Sequence, residues 1–267
     1  MNGPLQPERL PPHVPSLRAI QFLTRLPVSG LIPSLDPSQV RLGLGRAVLW
    51  FPVVGGLVGA IDAAVLIAAE ALWPRVIAVV IMLIVEARLT GAFHEDAVAD
   101  FCDGMGGGHS PERIRKIMKD SRIGTYGALG LMLAVGLRAS LLLVMPPALL
   151  LPAVLAGAAL SRWLAVVAMA AIPPLDQGRS LAKDIGQRPA PAVTIMAGVL
   201  ALPFLLPIGM QEPLRLTLAI GLSGLFLIWL RAFLLRWLGG VTGDCLGFAV
   251  YAGQLILLLC AAAAWPA

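Results

Sequence analysis

Seven mainly apolar runs dominate the chain, near 46–72, 75–93, 125–145, 148–172, 191–210, 214–235 and 246–264. Each approaches or exceeds the roughly 20 residues that an α-helix needs to cross the hydrocarbon core of a bilayer. Composition points the same way. With 58% hydrophobic residues, 13% charged residues and a mean hydropathy of +0.85, the chain is excluded from the class of soluble domains. The expected fold is therefore all-α, a polytopic transmembrane helix bundle of about seven spans. The opening residues, "MNGPLQPERLPPHVPSL", lack the basic-then-apolar layout of a signal peptide, so no cleavage is expected.

Lys and Arg set the expected orientation. With the N-terminus cytoplasmic, the inner segments hold Arg9, Arg18, Arg25, Arg41, Arg46, Arg113, Arg115, Lys116, Lys119, Arg122, Arg179, Lys183, Arg188 and Arg236, against only Arg75 and Arg215 outside. Fourteen against two is a strong positive-inside bias. The net charge of +5 is thus topological and gives no reason to expect nucleic-acid binding. The chain reads as one integral membrane domain over 1–267. An N-terminal segment, 1–45, carries an interfacial helix on the cytoplasmic side. The bundle, 46–267, presents loops 94–124, 173–190 and 236–245 on the same side. Membrane lipid is the expected surroundings, and a homo-oligomer is compatible with such a bundle. Cys102, Cys245 and Cys260 fall in cytoplasmic or membrane positions, where no disulfide framework is expected.

The most polar stretch, "FHEDAVADFCDG" (93–104), directly follows an apolar run. On a helix, Asp96, Asp100 and Asp103 project at about 0°, 40° and −20°, on one stripe. Like charges so placed repel one another, and a bound cation reverses the sign of that interaction. Asp96 and Asp103 lie about 10 Å apart along such a helix. Two Mg²⁺ ions about 4 Å apart, bridged by the middle carboxylate, fit better than one. Oxygen-only ligands suit Mg²⁺ or Mn²⁺, and Mg²⁺ commonly meets a protein through a few carboxylates and substrate phosphates. A solvated acidic loop is the competing reading. The following glycines, among them Gly106 and Gly107, let backbone N–H groups approach phosphate oxygens, or serve as a flexible connector. His94 and His109 flank the cluster without any zinc-ligand spacing.

In "SPERIRKIMKDSRIGTYG", Ser110 is an N-cap, Pro111 takes the first helical position and Gly124 stops the helix. Lys119 and Arg122 offer a cationic wall for phosphate. Ile114, Ile117 and Met118 are expected on the membrane surface, with Arg113 a charge on the lipid side. A basic interfacial helix touching anionic lipid meets the same pattern. Asp244, in "GGVTGDCLGF", sits at the inner mouth and either joins the metal site from another helix or caps the last span. Asp62, Glu86, Arg88, Arg138, Arg162 and Arg231 fall inside spans, where charges are functional candidates. Arg162 is singled out as a phosphate ligand because it lies towards the inner end of its span, and buried ion pairs would explain the others.

The runs "QFLTRLPV" (21–28), "FPVVGGLVG" (51–59), "TGAFHEDAVADFCDG" (90–104), "RIRKIMKDSRIGTYGALGL" (113–131), "LSR" (160–162) and "GGVTGDCLGF" (239–248) stand in this order along the chain. Together they resemble the cobalamin synthase family, the adenosylcobinamide-GDP ribazoletransferases. Ala92, Glu95 and Ala97 depart from the family pattern, which has Gly, Leu and Gly there, so close backbone approach at Ala97 is in question.

The resemblance implies a multi-pass, Mg²⁺-dependent enzyme of the bacterial inner membrane. In the implied reaction a hydroxyl of α-ribazole, or of its 5′-phosphate, attacks the cobinamide-side phosphorus of adenosylcobinamide-GDP. GMP leaves, and adenosylcobalamin or its 5′-phosphate forms. Phosphoryl-transfer logic then assigns Asp96, Asp100, Asp103 and Asp244 to metal, and Lys119, Arg122, Arg162, Gly106 and Gly107 to phosphate. Asp120 or His94 would accept the hydroxyl proton. The alternatives are a CDP-alcohol type of membrane phosphotransferase, whose signature spacing is absent, and a cation transporter using Asp62, Glu86 and Arg138 as a relay.

Overall fold

The computed structural model describes residues 10–34, 37–175 and 188–264, so Arg9, Arg179, Lys183 and most of the 173–190 loop lie outside the described residues. Within them the chain forms α1 (Val14–Leu23), α2 (Pro37–Ala47), α3 (Phe51–Glu70), α4 (Arg75–Thr90), α5 (Phe93–Gly107), α6 (Pro111–Met118), α7 (Thr125–Val144), α8 (Pro147–Ala171), α9 (Pro191–Gln211), α10 (Pro213–Trp237) and α11 (Gly243–Ala262). The one extended pairing among the described residues is a bridge between Pro174 and Val241. Among the described residues six helical stretches are long and apolar enough to cross a membrane, and seven if α4 and α5, bent 88° to one another, count as one broken span.

Helix α8 is the central post, packed by α3, α9 and α11. Small residues let those backbones close on it. Gly55 and Gly59 of α3 face it one turn apart; a Cβ at Gly59 would lie 3.0 Å from the Leu155 Cα, and one at Gly55 would overlap the Ala158 carbonyl oxygen. The pattern of a soluble protein is inverted. Large apolar side chains such as Val80, Ile84, Leu133, Leu206 and Ile228 point outward, whereas Asp62, Glu86, Arg138 and Arg162 are enclosed. Only a lipid surrounding rewards that arrangement.

The two ends of the bundle are closed in different ways. At one end Arg75 pairs with Glu70 at 2.8 Å and donates to the Met145 carbonyl, while Arg215 pairs with Glu212 and donates to the Ala263 carbonyl. Cations here satisfy the exposed carbonyls of helix C-termini. At the opposite end α5, α6, the start of α7 and the start of α11 come together. The Val241 and Leu175 N–H groups exchange backbone hydrogen bonds with Pro173 and Val241. The three segments expected to share a face therefore meet at one end of the bundle, as far as they are described.

Segment 94–124 is not the surface loop that the sequence suggested. At 16 residues α4 is about 24 Å long, short of the hydrocarbon thickness. The chain then turns through Gly91 and Ala92, both left-handed at φ 75° and 56°, into α5. Helix α5 packs between α7 and α11 because Ala97, Val98, Ala99 and Phe101 interleave the acidic stripe and bury the other faces.

Candidate active site

The acidic stripe runs from the open end of the bundle inward. Asp96 is exposed, Asp100 half-buried and Asp103 buried. Asp103 has a structural assignment. Its Oδ2 accepts the Gly124 N–H and its Oδ1 the Gly127 N–H, each at 2.7 Å, so it caps α7 and locks α5 to it. A carboxylate at a helix N-terminus also meets the favourable end of the helix dipole. The close carboxylate leaves no room for a Cβ at Gly124 or Gly127, which accounts for the glycine spacing of "IGTYG". Each Asp103 oxygen keeps one further lone pair for a ligand.

Asp244 reaches the stripe across a tight crossing. Gly247 lies on Ala97, and a Cβ at Gly247 would overlap the Ala97 methyl. The close approach put in question by Ala97 is thus made from the other side, by the glycine of α11. One turn before Gly247, Asp244 feels the negative charge of Asp96 and the positive charge of Lys119. Asp100 in turn is crowded by Asp96, Asp244 and Asp103. Capping of α11 falls to Thr242, whose Oγ1 accepts the Cys245 N–H at 3.3 Å, so Asp244 is not spent on that task.

These residues fit a hard divalent cation of the kind that relies on its substrate. Among the described residues no three His, Cys, Asp or Glu side chains form a ready-made metal cage. Asp96, Asp100 and Asp244 nevertheless accumulate negative charge with no described hydrogen-bond donor of their own. Mg²⁺ completes its octahedron with waters and phosphate oxygens, so a few open carboxylates at one mouth suit it.

The basic segment matches the sequence reading in part. Ser110 Oγ accepts the Arg113 N–H, Pro111 begins α6 and the helix ends at Met118. Ile114 and Met118, however, are buried against Gly104 of α5 and Gly108 just after it, not laid on lipid. The glycines after the stripe serve this docking, which corrects the phosphate-cradle reading of Gly106 and Gly107. Both lie in the last turn of α5, where N–H groups bond within the helix and the free groups are carbonyls. A Cβ at Gly106 would run into the ring of Tyr126.

Lys119 and Arg122 are both exposed near the mouth. The fork of Arg122 is held by Asp120: Nε donates to Oδ1 at 3.0 Å and Nη2 to Oδ2 at 2.8 Å. The Arg122 hydrogen bonds pull the Asp120 carboxyl down to about 2, which leaves Asp120 a weak proton acceptor.

Arg162 is 1% exposed and does not reach the mouth, a correction to its reading as a phosphate ligand. It donates to Ser161 Oγ at 3.2 Å and the Ala158 carbonyl at 3.3 Å. Its Nη2 lies 3.5 Å from His94 Nδ1 and 3.9 Å from Glu86 Oε1. Arg138 pairs with the same Glu86 and lies over the Tyr251 ring at 5.9 Å, with Asp62 enclosed beside them. His94 is buried in this network, with its ring edge-on to that of Phe93 at 5.4 Å between centroids. Sequence reasoning named these charges one by one; charges spaced along five different helices carry no signal that they meet.

Comparison with known proteins completes the description. The family model described as CobS, cobalamin-5-phosphate synthase, matches residues 15–262. Three similar proteins each bear the name adenosylcobinamide-GDP ribazoletransferase. The one from Leptospira interrogans is 34% identical over 91% of this chain and 93% of its own. That from Ralstonia pickettii is 38% identical over 90% and 91%, and that from Vibrio cholerae 37% over 91% of both. No solved structure matches the chain.

Proposed function

The chain belongs to the cobalamin-5-phosphate synthase family, and from that premise we propose how its residues perform the family's reaction. It is a multi-pass membrane transferase that completes the nucleotide loop of cobalamin, an adenosylcobinamide-GDP ribazoletransferase. Its substrates are adenosylcobinamide-GDP and α-ribazole or its 5′-phosphate. The family membership leaves the CDP-alcohol phosphotransferase and transporter readings without support.

The observation that carries the site assignment is the meeting of Asp96, Asp100 and Asp244 at the Ala97–Gly247 crossing, with Lys119 beside them. Asp96, Asp100 and Asp244 would hold Mg²⁺, and Asp103, fixed to α7, holds the stripe in register. When bound, the metal neutralises charge on the transferring and leaving phosphates. Lys119 supplies a further positive charge to phosphate oxygens, and Arg122 does so once it swings from Asp120. The hydroxyl oxygen of the ribazole forms a bond to the cobinamide-side phosphorus as the bond from that phosphorus to the GMP oxygen breaks. GMP leaves with the electron pair, and the hydroxyl proton passes to water at the open mouth. Catalysis of phosphoryl transfer rests mostly on positioning and on neutralising charge. That agrees with the weakness of Asp120 and the burial of His94.

The mouth faces the cytoplasm of the bacterial inner membrane in this reading, with the N-terminus on the same side and the whole chain one domain. The fourteen-to-two distribution of Lys and Arg supports that orientation. The test is GMP release by purified protein given adenosylcobinamide-GDP and α-ribazole. Activity should require Mg²⁺ and vanish with EDTA. Full activity in EDTA would remove the metal from the proposal.

A further inference from the structure

An aromatic corner and an exposed guanidinium border the acidic stripe at the α4–α5 elbow. Phe93 opens α5 on the side of its carboxylates, about 60° from Asp96 and about 20° from Asp100 in helical projection. It is 36% exposed. Phe22, near the end of α1, meets its ring edge-on, with centroids 5.7 Å apart and planes at 74°. Phe22 also stacks on Phe51 of α3 at 5.6 Å and 6°, which fixes the corner to the bundle. Three residues on, the Arg25 N–H donates to the Leu89 carbonyl at 2.7 Å. Its side chain is exposed and lies over Gly91, where a Cβ would run into the guanidinium nitrogens. Gly91 is therefore required both for its left-handed φ and for the room Arg25 takes. Arg25 has no ion-pair partner among the described residues.

A ring that only anchored the helix in lipid would stand away from the carboxylates. Phe93 shares their side instead, and the cation next to it has nothing to neutralise within the described protein. We propose that this corner receives the flat heterocyclic base of a nucleoside phosphate substrate, which stacks on Phe93 while Arg25 contacts its phosphate. The inference rests on the transferase reading and adds to it the N-terminal segment as part of the site. Stacking on an aromatic face suits any base, and the planar guanidinium matches phosphate. The Phe51–Phe22–Phe93 row holds the ring in place before the ligand arrives, which lowers the ordering cost of binding. Both substrates carry such a base, guanine in one and a benzimidazole in the other, so the experiment must tell them apart.

Steady-state GMP release by the full chain with Mg²⁺, varying each substrate while the other saturates, separates the sources. Phe93→Leu should raise KM for one substrate at least about fivefold, leave the other KM unchanged and alter kcat little. Phe93→Tyr should restore the wild-type value, and Arg25→Gln should raise the same KM. With α-ribazole 5′-phosphate as the acceptor, a change for adenosylcobinamide-GDP assigns the corner to guanine, and one for α-ribazole 5′-phosphate to the benzimidazole. Unchanged KM values, a rise in both, or a fall in kcat alone would overturn the inference, since Phe93 would then merely shape α5. Equilibrium binding of GMP and of α-ribazole 5′-phosphate to wild type and Phe93→Leu keeps the two readings distinct. A wild type that binds one of them but releases no GMP defeats the transferase reading only. A Phe93→Leu variant that binds both as wild type does defeats the corner.

Discussion

Gly247 of α11 sits on the methyl group of Ala97 of α5, with no space between them for another carbon. That contact sets how far Asp244 stands from Asp96 and Asp100, because each carboxylate lies within about one turn of the crossing. Gly247→Ala should therefore force the two helices apart. Overpacking of this kind costs about 1–3 kcal/mol, and GMP release should fall by at least roughly tenfold because the proposed metal ligands would tolerate little displacement. Ala97→Gly in the Gly247→Ala background returns the room and should recover most of the activity. Failure of that rescue, measured by GMP release beside Tm in detergent, would mean the crossing does not position the site.

Asp100 and Asp103 belong to the same stripe but should fail differently. Asp103→Asn loses one of two charge-assisted hydrogen bonds to α7 and sets an amide against a backbone N–H. The expected cost is about 2 kcal/mol of stability, seen as a Tm lower by several degrees in the presence of EDTA. Asp100→Asn should abolish turnover with no such loss. It relieves the repulsion from Asp96, Asp103 and Asp244, so the metal-free variant should melt slightly above metal-free wild type. Near-normal turnover by Asp100→Asn would remove this carboxylate from the metal site.

The sequence made the helical spans legible because apolar length is a local property. The expected boundaries at 125–145 and 191–210 meet Thr125–Val144 and Pro191–Gln211 within a residue. The stripe formed by Asp96, Asp100 and Asp103 was legible for the same reason, since helical spacing is read along one segment. What escaped depends on partners distant in sequence. Nothing near Asp103 announces that its oxygens cap a helix starting 21 residues later. Gly106 looks like a phosphate-binding glycine until the Tyr126 ring is placed against it. Arg162 looks like an inner-mouth cation until Glu86 and His94 are found beside it in the core.

Orientation is testable with the native thiols in view. Cys245 and Cys260 are buried and Cys102 partly so, which leaves a Cys102→Ser background suited to labelling. Single cysteines at Ser110 and Arg236 should react with a membrane-impermeant maleimide from the same side, because both lie at the end where α5, α6 and α11 meet. A cysteine at Pro146, beside the Arg75 anchor, should react from the other side. Labelling of Ser110 and Pro146 from one side would break the bundle topology, and labelling of Ser110 from outside whole cells would reverse the proposed orientation.

The last expectation concerns the ion pair that closes over the basic segment. Asp120 occupies the fork of Arg122, and a phosphate bound there, as proposed, would have to displace it. Asp120 itself stays ionised throughout the working range. Its folded value of about 2 lies below its ordinary value, so what the pair adds to stability is fully present above pH 4 and is lost only as pH falls through about 2. Acidification from pH 8 to pH 6 should therefore not free Arg122. Asp120→Asn should free it without removing a needed base, and GMP release is expected to stay within about threefold of wild type. Arg122→Lys keeps the charge but loses the planar fork, and should lower kcat/KM by roughly tenfold. Arg113→Lys, with its side chain in solvent on α6, should be nearly silent. The contrasting case is a helix that only touches anionic lipid, for which all three substitutions leave turnover unchanged because lipid reads charge and not fork geometry. A large loss with Asp120→Asn would return Asp120 to the role of proton acceptor, and equal activity of Arg122→Lys and wild type would take Arg122 out of phosphate binding.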